Sequence, residues 1–106
     1  MGYRSDEMVT VGIFVRLEAK PGKEEDLAAF LMQGLTLANR ETTTPVWFAL
    51  RLGGGSFAIF DAFVGESGRQ AHLNGPIAKA LMTQAPHLLA EPPAIQQLEV
   101  MGAKLT

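Results

Sequence analysis

The sequence contains no cysteine, so disulfides, thiolate nucleophiles, zinc knuckles and iron–sulfur clusters are all excluded. It also lacks a charge excess, since 9 Lys and Arg against 11 Asp and Glu leave a net charge of -2. With the two signs interspersed there is no basic stripe for a phosphate backbone and no polybasic tail, which argues against nucleic-acid and membrane partners. No apolar run approaches the roughly 20 residues of a bilayer-spanning helix, and the polar stretch from Met1 to Thr10 has no signal-peptide core. A soluble, cytoplasmic protein is the expectation. The sequence has no Gly-x-Ser-x-Gly elbow, Walker loop, dinucleotide fingerprint or Cys-x-x-Cys pair, so flavin and nicotinamide sites of the familiar types lack support.

What is present is a short, greasy chain. Its 106 residues are 47% apolar and 19% charged, which suits one domain over residues 1–106 with a single core and a single site. From Val9 to Ala19 apolar residues alternate, with Val9, Val11, Ile13, Val15 and Leu17 on one side, and this predicts a strand. Lys20-Pro21-Gly22 ends it. The acids Glu24, Glu25 and Asp26 then suit the positive end of a helix dipole, and Leu27, Phe30, Leu31, Gly34, Leu35 and Ala38 recur at helical spacing.

Pro45 to Leu52 and Ser56 to Val64 read as two more strands, joined by Gly53, Gly54 and Gly55 in a hairpin that uses positive φ angles. A strand follows these glycines where a phosphate loop needs a helix and a lysine. Gly65 to Leu73 forms a short helix, and Pro76 opens a second segment through Ile77, Leu81, Ala85 and Leu88, with Pro86 expected to distort its end. Ile95 to Leu105 reads as the last strand.

The order βαββαβ, with the second helix broken, is that of an α+β ferredoxin-like antiparallel sheet with its helices on one face. Ala58, Phe60, Ala62, Val64 and Phe14 make the opposite face apolar as well. A second copy of the same sheet is the simplest cover for it, so a homodimer is expected.

Candidate chemistry is sparse. Asp61 sits among Ile59 and Phe63 on the helix-facing side of the third strand, and His72 follows on the helix that folds back over it. A carboxylate on one imidazole nitrogen fixes the tautomer and raises the basicity of the other, which makes a general base. The same pair also reads as a polar tie between strand and helix with no substrate. Trp47, Phe48, Phe57, Phe63 and Met82 could line a planar hydrophobic pocket or be plain core. His72 and His87 are far apart with no third ligand beside either, so no metal site is expected. Arg16 suits a dimer interface, and Arg51 either an interface or an anionic ligand.

The runs VGIFVRLEAKPGKEEDLAAFL, FAIFDAFVGESGRQAHLNGPIAKALM and LLAEPPAIQQLEV resemble the antibiotic biosynthesis monooxygenase family, over about Val9 to Leu105. The most specific part is Asp61 followed by Ala71-His72-Leu73, although relatives often carry glutamate in place of Asp61. The resemblance implies a dimeric α+β barrel and an oxygenase of quinol or polyphenol substrates that uses dioxygen as co-substrate without metal, flavin or haem. It makes His72 the base, or the donor that stabilises the substrate anion, and Asp61 its orienting partner; strand parity then adds Trp47, Phe57 and Phe63 as pocket walls. The haem-degrading branch of the fold needs a histidine, an asparagine and a tryptophan where this chain has Met82, Gly12 or a neighbour, and Phe63, so haem degradation is disfavoured. A non-oxidative isomerase or tautomerase, or a small-molecule-binding stress protein, remains an alternative on the same fold.

Overall fold

The computed structural model describes residues 8–105. Strand β1 (Val11–Glu18) leads into helix α1 (Glu24–Ala38), followed by strands β2 (Val46–Gly53) and β3 (Ser56–Phe63). Helices α2 (Glu66–Leu73) and α3 (Pro76–Leu88) precede strand β4 (Ala94–Glu99). The sheet order is β2-β3-β1-β4, antiparallel throughout, which is the ferredoxin-like arrangement expected from the strand pattern.

Local chemistry explains the boundaries. Gly53, Gly54 and Gly55 all take positive φ in the β2–β3 hairpin, where a side chain would be strained. Three acids occupy the first turn of α1, and its Leu27, Leu31, Gly34 and Ala38 form the buried stripe. Gly34 permits close packing, because a Cβ there would lie 3.3 Å from the Trp47 ring on β2. In α3, Pro76 starts the helix, while Pro86 does not end it. The helix runs on to Leu88, and the Leu89 N–H still bonds the Ala85 carbonyl. The missing Pro86 N–H leaves a single turn short of one bond, and that turn is held from outside by Lys20, whose Nζ donates to the Pro86 carbonyl.

The last strand is shorter than expected and stops at Glu99 instead of reaching Leu105. Glu99 pairs with Val11, the first residue of β1, and Val100 makes one more bond to the Thr10 carbonyl. Beyond that point the apolar residues have no partner strand among the described residues, whatever their alternation.

All three helices pack on the sheet face that carries Ile13, Val15, Leu17, Phe57, Ile59 and Phe63, and these six join Leu27, Leu31 and Leu81 in the core. No element among the described residues covers the other face. Phe48 is 53% exposed there and stacks on Phe60. Arg16 lies on this face and pairs with Glu18 two residues along its own strand. Arg51 lies on the helix side, bridging to Glu25 of α1 over the Phe57 ring.

Candidate functional site

β3 brings Asp61 to the centre of the helix-facing surface, between Ile13 of β1 and Trp47 of β2 in the register. The last turn of α2 crosses it, and His72 Nε2 lies 3.0 Å from Asp61 Oδ2. Both side chains are buried, Asp61 almost completely at 1% exposure. The tie anticipated between strand and helix is therefore made.

The residue that sequence reasoning missed is Glu41, in the turn after α1. Its Oε1 is 2.8 Å from His72 Nδ1, and it also accepts a hydrogen bond from the buried Thr44 hydroxyl at 2.7 Å. The Thr44 Oγ1 itself is 3.5 Å from the same ring nitrogen. His72 thus sits between two carboxylates with both nitrogens occupied. The expectation that one nitrogen stays free for a substrate proton is not met.

The electrostatics follow from this clamp. Burial works against a charged imidazole, but the bonds to Asp61 and Glu41 and the field of both carboxylates outweigh it and raise the His72 pKa above 6.5. A ring that donates from both nitrogens is an imidazolium. For Asp61, burial is the largest influence and raises its pKa above the ordinary 3.8, with the His72 bond opposing. One oxygen of each carboxylate, Asp61 Oδ1 and Glu41 Oε2, is buried without a hydrogen-bond partner. The Phe63 ring packs 5.4 Å from the imidazole, tilted by 45°.

Asp61 and His72 line a cavity of about 40 Å³. Its other walls are aliphatic: Ile13, Val15, Ile59, Leu73, Ile77, Ala78, Leu81 and Ile95, the last half exposed at the sheet edge. A water needs about 10–15 Å³ of such space, so the cavity admits a small group of a few atoms.

None of the five residues expected as pocket walls lines this cavity. Trp47 packs against Gly34 of α1, and Phe57 and Phe63 are core residues at 2% and 0% exposure. Phe48 is on the uncovered face. Met82, 59% exposed on α3, borders a separate groove with Lys20, Pro86 and Pro92. Strand parity placed Trp47, Phe57 and Phe63 on the helix-facing side, but the helices fill the space over the strands, so that a face position becomes core. Among the described residues no three His, Cys, Asp or Glu side chains are grouped to hold a metal ion, and no helix is long and apolar enough to cross a membrane.

No family model matches the sequence, and no curated protein matches it. Solved structures do match. A protein of unknown function from Nitrosomonas europaea is 55% identical with a TM-score of 0.91, over 94% of this chain and 97% of that one. The chain belongs to one family with it. More distant structures carry a family name: a "putative antibiotic biosynthesis monooxygenase" from Caulobacter crescentus is 15% identical with a TM-score of 0.75, over 89% of this chain and 92% of the other. A second protein from Nitrosomonas europaea under the same description is also 15% identical, with a TM-score of 0.77 over 87% of this chain and 99% of its own.

The chain has the antibiotic biosynthesis monooxygenase fold. That agrees with the resemblance seen in its β1, β3 and α2 sequences, and it accounts for the single helix-covered sheet face.

Proposed function

We propose that the protein is a cofactor-independent monooxygenase that oxidises a small phenolic or quinol-type substrate with dioxygen. The observation that carries this reading is the buried carboxylate–imidazole–carboxylate chain of Asp61, His72 and Glu41, with Asp61 and His72 opening on an otherwise aliphatic cavity. Removing a phenolic proton makes an electron-rich anion, and the aliphatic surroundings keep water from that anion.

The anion passes an electron to dioxygen, and the radical pair combines to a carbon-bound peroxide. The O–O bond then breaks, one oxygen stays on carbon as a quinone carbonyl, and the other leaves as water with two substrate hydrogens. A naphthol and dioxygen give a naphthoquinone and water, so the substrate supplies every electron and no outside reductant enters. The cavity takes the acidic group, and the aromatic body lies at its mouth near Ile95.

The bare sheet face belongs to the same proposal: two copies pack through Phe48, Phe60 and their neighbours and form a homodimeric barrel. An oxygen electrode with a naphthol and a naphthohydroquinone tests the chemistry. Equimolar oxygen uptake with appearance of quinone absorbance, lost in Asp61→Asn, is the expected result. Absence of uptake with exchange of a carbon-bound hydrogen for deuterium would instead select the isomerase reading. Tight binding with neither would select a binding protein.

A further inference from the structure

We infer that the proton acceptor of this site is Asp61, through its unbonded Oδ1, and that His72 is a fixed cation held in place by Glu41. This assignment rests on the proposed proton abstraction, but it reverses the roles that a histidine–aspartate pair suggests.

Three observations carry it. First, both His72 nitrogens face carboxylate oxygens, at 3.0 Å and 2.8 Å, so the ring has no lone pair to offer a substrate. A neutral imidazole has only one N–H and would set its bare nitrogen against a carboxylate. Second, Asp61 is 1% exposed, it lines the cavity, and its Oδ1 has no partner. An unpaired buried carboxylate oxygen beside a space that holds one small group is a ready acceptor. Third, the charge count favours uptake. One imidazolium between two carboxylates carries a net negative charge in a poorly solvated place, and a proton on Oδ1 neutralises it.

Glu41 has an unbonded oxygen too, but Glu41 is not among the cavity walls. Its work is positional: Oε1 holds Nδ1 and Thr44 holds Oε1, which keeps the ring aimed at Asp61 Oδ2. Among the described residues no other titratable side chain lines the cavity beside Asp61. β1, α3 and β4 present Ile13, Val15, Ile77, Leu81 and Ile95 to the cavity, and β2 presents Trp47 beside Asp61 in the register. Burial raises the Asp61 pKa, in line with a base that gives its proton back.

The test is a pH titration of the full chain by NMR, with ¹⁵N in the imidazole and ¹³C in the carboxyl groups, in the wild type and Glu41→Gln. The expected result is that both His72 nitrogens carry protons at neutral pH and that the Asp61 carboxyl titrates above 3.8. In Glu41→Gln the Asp61 transition stays assigned to Asp61. A singly protonated, neutral His72 at pH 7, or proton uptake at Glu41 in place of Asp61, overturns the assignment. Naphthohydroquinone added without oxygen gives the second arm, with the Asp61 carboxyl moving to its protonated position and the imidazole nitrogens unmoved. Movement of the imidazole instead overturns the assignment. If the quinol leaves both groups unchanged, the proposed substrate class fails, and the titration without it still decides which residue is the base.

Discussion

Replacing Glu41 by glutamine removes a charge from the clamp while keeping an oxygen that can accept from His72 and Thr44. The side chains of His72 and Glu41 are 7% and 16% exposed, so solvent screens their bond little. A hydrogen bond involving a charged group contributes about 1.5–3 kcal/mol net. The amide retains part of that, so Glu41→Gln is expected to cost about 1–2 kcal/mol. With a urea slope of about 2 kcal/mol/M, the middle of the range for small domains, the midpoint should fall by roughly 0.5–1 M.

The sign with pH is fixed by the direction of the His72 shift. A folded-state pKa raised above 6.5 stabilises the fold fully below 6.5, and that stabilisation is lost as pH rises through the folded value. Glu41→Gln removes part of the raising influence, so its cost is largest at a pH below 6.5 and shrinks at a pH above the folded value. Urea unfolding followed by circular dichroism at the two pH values measures both quantities. An equal loss at both ends, or none at either, would refute the view that His72 is a cation held by two carboxylates.

Other substitutions test the frame around the site. In Gly12→Ala the new Cβ would lie 2.7 Å from the Asp61 carbonyl oxygen and 2.9 Å from Leu98, so β1 must move in the middle of the sheet. A loss of about 1–3 kcal/mol by thermal unfolding is expected, and an unchanged melting temperature would contradict the packing. Arg69 is 11% exposed, and its Nη1 donates to the Gly12 and Leu98 carbonyls at 3.2 Å and 3.1 Å. Arg69→Met keeps the aliphatic stem but strands those acceptors, which costs about 1–3 kcal/mol in the same assay; a silent substitution means that water replaces the guanidinium. Phe48→Lys puts a charge on the bare sheet face, so analytical ultracentrifugation should show a dimer for the wild type and a folded monomer for the variant. A wild-type monomer at micromolar concentration removes the case for the barrel.

Much of the fold was legible because short-range rules decide it. The alternation in Val11–Glu18, the acid-led stripe of α1, the three glycines of the hairpin and Pro76 at the start of α3 each act within a few residues. Asp61 and His72 stood out for the same reason, as polar residues at positions whose neighbours are core. The pocket walls were misplaced because parity gives a face and not what fills it. Helix packing made Phe57 and Phe63 core and put Gly34 against Trp47. β4 was read too long because alternation says nothing about where a partner strand stops.

Glu41 is the clearest case of what only the tertiary structure decided. It precedes His72 by 31 positions, with two strands and most of α2 in between. In the sequence it is one acid in a polar turn, with Thr44 three residues on as its only local sign. The sequence by itself determined the element order, the two apolar sheet faces and a buried Asp61–His72 pair, since periodicity and residue chemistry act locally. The second carboxylate on the imidazole was decided by the packing of α2 over the α1–β2 turn. A hydrogen bond selects partners by distance in space, and no spacing along the chain records that distance.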